Sequence, residues 1–126
     1  MRKRLHHGFT LIELLVALAI VALILSIAAP RYLGSLNRSE EVALKQDLAV
    51  MRDALDKHFA DTGRYPSTLE DLVAKNYLRK IPPDPITQST DSWVGIPPTD
   101  ATLGSISDVR SGAKGTGPDG VPYDQW

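Results

Sequence analysis

Residues 8–29 read GFTLIELLVALAIVALILSIAA, an apolar run with one carboxylate, Glu13, near its start. From Leu14 to Ala29 the run contains a single polar side chain, Ser26. An α-helix needs about 20 apolar residues to cross a hydrocarbon core of about 30 Å. Residues 9–29 supply that length, so we predict a transmembrane helix there. A carboxylate at the centre of such a helix costs about 2.5–3.5 kcal/mol, and Glu13 therefore needs a partner that offsets this cost.

Charge is distributed unevenly along the chain. The total is 14 basic and 15 acidic side chains, yet the opening MRKRLHH is basic without any acid, which leaves residues 30–126 mildly acidic. The positive-inside rule then places the N-terminus in the cytoplasm and the rest of the chain outside it. The acidic remainder has no basic patch, so we predict no nucleic-acid partner. Cysteine is absent, which excludes disulfides, cysteine-based zinc sites and cysteine nucleophiles.

A conventional secretory signal is the alternative interpretation of the same segment. A basic start, an apolar stretch and the small residues Ser26 and Ala28 would suit cleavage near Ala28 and release a periplasmic binding module. The apolar stretch of a secretory signal has about 7–15 residues, however, and this run is longer. A secretory signal also has no use for Glu13.

The residues around Glu13 resemble the class III signal of type IV pilins and type II secretion pseudopilins. That signal is a short basic leader ending in glycine, followed by phenylalanine and by a glutamate at the fifth position of the mature chain. Gly8, Phe9 and Glu13 match it in this sequence. The resemblance implies that a prepilin peptidase removes the leader, residues 1–8, by cutting between Gly8 and Phe9. The same enzyme would then methylate the new amino group of Phe9.

The implied cut offers Glu13 a partner. The amino group of Phe9 stays cationic after methylation, and Glu13 of a neighbouring subunit can pair with it when the helices pack side by side. Separating the two charges is costly in a bilayer or filament core of low dielectric constant, so the pair would set the register between subunits. The alternative is that Glu13 lies at the membrane edge without this role.

Pro30 follows the apolar run and has two interpretations. Proline has no N–H to donate and its ring crowds the preceding turn. Pro30 therefore either ends the membrane helix or loosens a helix that continues. The resemblance implies that it marks the part of the helix that melts on assembly, and the residues alone leave both interpretations open.

An amphipathic helix is predicted at residues 31–60 because apolar residues recur there at helical spacing. His58 lies among charged residues of this helix and is predicted to be solvated. The apolar stripe, which we expect to face a domain core, consists of Leu44, Leu48, Met51, Leu55 and Phe59.

The end of this helix and the start of the next are marked by turn and capping residues. Gly63 is a typical helix stop, and Pro66 prevents continuation. Ser67 and Glu70 have capping-box spacing, which predicts a short helix at residues 67–75.

Residues 76–126 are rich in proline, glycine and aspartate, and only the short pieces SWVGI and GSISDVR are suited to strands. We predict an α+β fold in which a long N-terminal helix, first transmembrane and then amphipathic, packs on a small antiparallel sheet within a domain of residues 30–126. Trp93 and Trp126 are predicted to anchor that domain. The stretch TGRYPSTLEDL adds a resemblance to the G-type, major pseudopilins of type II secretion, which implies a pilin-like lollipop shape.

Calcium is the one cofactor that this resemblance raises. G-type pseudopilins hold a calcium ion in the C-terminal loop with aspartates and main-chain carbonyls, and calcium takes about 6–8 oxygen ligands. The candidate ligands in this chain are Asp108, Asp119 and Asp124. The loop sequence GPDGVPYDQW departs from the family pattern, and Asp119 within PDG equally suits a type I or II turn, which is the favoured interpretation.

No catalytic motif stands out, since phosphate-loop, nucleophile-elbow and zincin patterns are all absent. The resemblance implies a structural subunit of the bacterial inner membrane, with its domain in the periplasm, that polymerises with itself into a helical filament and drives protein export by a type II secretion system. Its implied partners are minor pseudopilins, the inner-membrane assembly platform with its ATPase, prepilin peptidase and membrane lipid. A type IV pilin for adhesion, motility or DNA uptake is the alternative, although the missing C-terminal cysteine pair speaks against many of these.

Overall fold

The structure, a computed structural model, describes Lys3 and residues 7–126. Most of the predicted leader, including Arg2, Arg4 and His6, therefore lies outside the described residues. The chain divides into two compact units, Met1–Asn37 and Arg38–Trp126.

The first helix, α1, covers Leu11–Thr62 and has Pro30 inside it. The interpretation that Pro30 ends the membrane helix is therefore wrong. Proline cannot donate to the carbonyl of Ser26 four residues earlier, but the good helix formers Ala28, Ala29, Arg31 and Leu33 lie on either side, and the helix continues past this one missing bond. The hydroxyl of Ser26 donates to the carbonyl of Leu23 at 2.7 Å.

Helix α1 ends at Thr62, where the sequence predicted a stop. Gly63 has a φ of 71°, in the left-handed region that suits glycine, and its N–H donates to the carbonyl of Phe59 at 2.8 Å. The hydroxyl of Thr62 donates to the carbonyl of His58 at 2.7 Å. The bond from Gly63 satisfies the carbonyl of Phe59, which has no partner within the helix.

The second helix, α2, covers Leu69–Ala74, one residue out of step with the predicted cap. Its N-cap is Thr68 rather than Ser67, and the capping box is completed by Asp71 rather than Glu70. The carboxylate of Asp71 accepts the main-chain N–H of Thr68 at 3.2 Å and that of Ser67 at 3.1 Å. An aspartate therefore does here what the usual capping-box pattern assigns to glutamate or glutamine.

The sheet has two antiparallel strands, β1 at Trp93–Ile96 and β2 at Asp108–Ser111, paired in the register Trp93↔Ser111 to Ile96↔Asp108. The predicted α+β class with a small antiparallel sheet is confirmed. Val109 and Ser111 are buried on one face of β2, as the period-two geometry of a strand requires. The Ser111 hydroxyl donates to the fully buried carboxylate of Asp84, so this polar pair is satisfied inside the core.

The core of the second unit combines the apolar stripe of α1 with one face of α2 and the sheet. Trp93 is buried there, as predicted, and its indole N–H donates to the carbonyl of Pro82 at 2.7 Å. Phe59 is only half-buried and stacks on Tyr65 with ring centroids 4.5 Å apart. The buried apolar residues are Leu44, Leu48, Met51, Ala54, Leu55, Leu69, Leu72, Leu78, Trp93 and Val109.

The prediction that His58 is solvated is wrong, because its side chain is only 2% exposed. The turn after α1 folds back over it, so that the carbonyl of Arg64 lies 2.7 Å from Nδ1, which donates to it. The ring of Tyr77 packs edge-on against the imidazole at 5.3 Å between centroids. The charged neighbours along α1 suggested solvent, but the burial comes from residues that follow the helix.

Candidate functional site

The junction between Gly8 and Phe9 is open in the part of the chain that the structure describes. A Cβ added to Gly8 would meet no described atom within 4 Å, and the Phe9 side chain is 85% exposed. The two residues precede α1 and lie outside any helix or strand. An enzyme that needs an extended backbone in its active site can therefore reach this peptide bond without first unfolding a helix.

Glu13 lies in the first turn of α1 and takes part in a cap that the sequence reasoning missed. Its main-chain N–H donates to the hydroxyl of Thr10 at 3.2 Å, while its carboxylate lies 3.5 Å from the N–H of Thr10. The T-x-x-E spacing of Thr10 and Glu13 is the signal that could have revealed this capping box. A carboxylate here also faces the positive end of the helix dipole.

The first part of α1 exposes apolar side chains all round. It is the one helix among the described residues that is long and apolar enough to cross a membrane, and none of its most apolar stretch is buried. Pro30 follows this stretch within the same helix. The exposed apolar residues of α1 that precede Pro30 are Leu11, Ile12, Leu14, Leu15, Val16, Leu18, Ile20, Val21, Leu23, Ile24, Leu25 and Ile27.

The three predicted calcium ligands, Asp108, Asp119 and Asp124, each have a different environment. Asp108 pairs with Arg52, with 2.8 Å between Oδ1 and Nε. Asp119 accepts the main-chain N–H of Val121 at 3.2 Å, the kind of bond that closes an aspartate turn, and Asp124 is exposed in a short 3₁₀ turn. No group of three carboxylate or imidazole side chains among Lys3 and residues 7–126 is placed to hold a metal ion. The three aspartates thus do not fit one shared calcium site, and calcium binding stays a prediction.

The sequence reasoning also missed the residues of α1 that hold the C-terminal segment, which we define as residues 112–126. Glu41 accepts a hydrogen bond from the Tyr123 hydroxyl at 2.9 Å, and this bond raises the pKa of Tyr123. The ammonium of Lys45 lies 4.8 Å from the centre of the Trp126 ring, a cation–π contact. Trp126 is thus half-buried at the edge of the core, consistent with the predicted anchoring role.

Spacing along α1 was the signal for these contacts. Glu41, Lys45 and Arg52 lie on the same side of the helix as the buried Leu48, since steps of four and seven residues return to one face. Charged residues so close to an apolar stripe flank the core rather than face open solvent. The sequence alone could not say which segment they meet.

Comparison with known proteins adds the following findings. Residues 3–29 match the family model described as "Prokaryotic N-terminal methylation motif". The chain is 30% identical to a "Type II secretion system core protein G" of Vibrio cholerae over 94% of this chain and 92% of that protein. It is 29% identical to the protein of the same name from Klebsiella michiganensis, over 97% and 90% of the two chains. It is 32% identical to the protein of the same name from Pseudomonas aeruginosa, over 68% of this chain and 71% of that protein. No solved structure matches.

Proposed function

The chain belongs to the type II secretion system core protein G family, and from that premise we propose how this pseudopilin is processed, anchored and assembled. It is a membrane-anchored pseudopilin and takes part in a secretion-system filament together with other components. The single observation that carries the proposal is a methylation motif at residues 3–29 that runs directly into an exposed apolar helix.

Processing is the first step of the proposal. Prepilin peptidase cuts between Gly8 and Phe9, removes residues 1–8 and methylates the amino group of Phe9. The open surroundings of Gly8 and the exposure of Phe9 support this assignment. Residues 9–29 then remain as the membrane anchor, and residues 30–126 form the domain in the periplasm. The basic start of the chain supports a cytoplasmic N-terminus.

Assembly is the second step, and Glu13 is its central residue. Before the cut, Thr10 and Glu13 cap α1 in the same chain. After the cut, the amino group of Phe9 is a cation at a helix N-terminus, and Glu13 of a neighbouring subunit neutralises it as the apolar helices pack side by side. The apolar surroundings strengthen this attraction, so a subunit that enters the filament settles at the height where the two charges meet.

The remaining partners follow from a structural role. The family argues for a structural rather than a catalytic protein, so the energy for assembly comes from an ATPase acting on an inner-membrane platform. Minor pseudopilins and further copies of this chain supply the other filament contacts, and membrane lipid surrounds the anchor before assembly. Growth of the periplasmic filament then drives folded proteins outwards. A type IV pilin is not better supported, since the relatives found here are named as secretion proteins.

The test is the intact mass and N-terminal sequence of the chain, extracted from membranes of cells with and without an active prepilin peptidase. We expect a chain that starts at methylated Phe9 in the first cells and the full-length chain in the second. The Gly8→Leu chain should stay full-length in both kinds of cell, which controls for cleavage by other proteases. A chain that starts near Ala29 and is found in the soluble fraction would contradict the proposal, because the anchor and Glu13 would then be discarded.

A further inference from the structure

The C-terminal segment, residues 112–126, has little regular structure of its own. It contains one isolated bridge, between Thr116 and Pro122, and a short 3₁₀ turn at Tyr123–Gln125. Its attachment to the rest of the unit therefore depends on a few side chains. The chain has no cysteine, so a disulfide is excluded and the segment is held by packing and by polar side chains.

The Arg52 guanidinium donates hydrogen bonds to three oxygens. Two belong to residues of β2, just before this segment, and the third belongs to Trp126 within it. The Nε of Arg52 donates to Asp108 Oδ1 at 2.8 Å. Its Nη2 donates to the main-chain oxygen of Val109 at 3.0 Å and to that of Trp126 at 2.7 Å. One carboxylate and two main-chain oxygens, from the adjacent residues Asp108 and Val109 and from Trp126, thus share one cationic group.

These are the types of oxygen that a structural calcium ion uses, namely a carboxylate and main-chain carbonyls. A guanidinium also presents its charge with several N–H donors in a fixed plane, so it can bind several oxygens at once. Asp108 Oδ1 accepts a further hydrogen bond from the N–H of Val109 at 2.8 Å. Asp108 Oδ1 thus accepts two hydrogen bonds, one from Arg52 and one from Val109, which use both of its lone pairs.

The charges around the segment oppose a metal ion in the same place. A cavity of about 320 Å³ beside Asp119 is lined by Arg52, Lys45, Leu48 and Trp126. Two of these residues are cations, against one carboxylate, Asp119, whose Oδ1 accepts the N–H of Val121. A divalent cation placed here would be repelled by both basic groups.

We propose that the Arg52 guanidinium is the built-in cation that fixes the C-terminal segment of this chain, in the role that a bound calcium ion would otherwise fill. The segment folds against α1 without calcium because Arg52 satisfies Asp108, Val109 and Trp126 together. This assignment concerns the fold of one subunit and is independent of the filament role.

The test compares the wild-type chain, purified whole in detergent, in millimolar calcium and in excess chelator. The readouts are thermal unfolding and hydrogen exchange of peptides from residues 112–126, with a peptide from α2 as internal reference. We expect the wild type to show the same melting curve and the same exchange in both solutions. A lower melting temperature or faster exchange of the segment in chelator would overturn the proposal.

The variants Arg52→Gln and Arg52→Lys test whether Arg52 holds the C-terminal segment. Gln loses the charge and most donors, while Lys keeps the charge but loses the planar arrangement. Exchange of the segment should rise about tenfold or more in Arg52→Gln, since bonds from a charged group are lost, and by less in Arg52→Lys. Arg38→Gln, an exposed arginine of the same helix, is the matched control and should leave exchange unchanged.

Unchanged exchange in Arg52→Gln would contradict the assignment. If Arg52→Gln does not fold, Asp108→Asn replaces it, because this change removes the ionic partner and leaves Arg52 in place. It should also speed exchange of the segment, and an unaltered segment would again count against the proposal. The comparison of calcium with chelator in the wild type decides the metal question without any variant.

Discussion

Glu13 has a different hydrogen-bonding situation before and after the proposed cut. In the uncut chain its partner is Thr10, three residues away at the start of α1. The cut creates a cation at Phe9, which offers the carboxylate a stronger partner in a neighbouring subunit. A cap that one chain supplies to itself would thus give way to a bond between chains.

Replacement of Glu13 tests the charge pair directly. Glu13→Leu should leave membrane insertion and the cut after Gly8 intact while filament assembly falls strongly, since breaking a buried pair costs about 3–5 kcal/mol. Glu13→Gln is the matched variant, because glutamine can still cap Thr10 but carries no charge. Filament yield, measured by chemical cross-linking of neighbouring subunits in cells and immunoblotting, should fall in both variants. Normal filaments from Glu13→Gln would show that the cap, not the charge, is what matters.

Asp47 is a second residue whose environment has a measurable consequence. Burial raises the pKa of the Asp47 carboxyl above its ordinary 3.8, and the negative charge of Asp84 raises it further. Between 3.8 and the raised value the folded chain binds more protons than the unfolded chain, so stability falls as the pH rises through this window.

Asp47→Asn should therefore raise the melting temperature at neutral pH and have little effect below pH 3.8, where the wild-type carboxyl is protonated as well. The measurement is thermal unfolding of the whole chain in detergent across this pH range. Asp56→Asn, an exposed aspartate of the same helix, is the control. A neutral-pH melting temperature that falls in Asp47→Asn would contradict the predicted sign.

At the scale of elements, the sequence predicted where helices and strands occur better than how their ends are made. The stop at Gly63 and the two strand pieces followed from residue chemistry that acts locally. The observed cap of α2 lies one residue after the predicted one, because Ser67 and Thr68 both suit an N-cap and Asp71 is the third-position partner of Thr68. When two neighbouring residues both suit an N-cap, the backbone conformation decides which of them caps the helix.

Two alanine substitutions distinguish the observed cap from the predicted one. Thr68→Ala should lower the free energy of unfolding by about 0.5–2 kcal/mol, because Thr68 accepts the N–H of Asp71. Ser67→Ala should have a much smaller effect, since its side chain has no part in this cap. Chemical unfolding of the two variants measures the difference. A larger loss in Ser67→Ala would favour the Ser67–Glu70 cap that the sequence suggested.

Tertiary contacts explain what the sequence could not predict about the candidate site. Gly8, Phe9 and Glu13 form a contiguous motif, so one stretch of sequence was enough to find them. Arg52 and Asp108, by contrast, are 56 residues apart, and nothing in either local sequence names the other. The burial of His58 has the same origin, because residues beyond the helix end cover it.

At the scale of the whole molecule, the proposed orientation in the membrane depends on the order of the segments along the chain. Basic residues precede the apolar stretch of α1, and the folded unit Arg38–Trp126 follows that stretch in sequence. Moving this polar unit back across a bilayer would require it to unfold and to desolvate its charges. The orientation set at insertion therefore persists.

Protease accessibility in spheroplasts tests this orientation. Protease added from outside should degrade residues 30–126 and leave a membrane-protected fragment that contains residues 9–29. A cytoplasmic marker protein should stay intact in the same sample and so report that the membrane is sealed. A full-length chain that survives until detergent is added would mean that the domain lies on the cytoplasmic side.

Arg52 donates to the main-chain oxygens of Val109 in β2 and of Trp126 in the C-terminal segment. These acceptors affect which residues of the segment can be substituted without loss of the attachment. Every residue has a main-chain oxygen, so substitution at either position leaves an acceptor in place. Gly117 is less free, because a Cβ there would clash with the indole of Trp126. Exposed positions such as Lys114, Asp119 and Gln125 can thus diverge while the attachment is retained. The segment offers a surface on which relatives of this chain can acquire different neighbours without losing their fold.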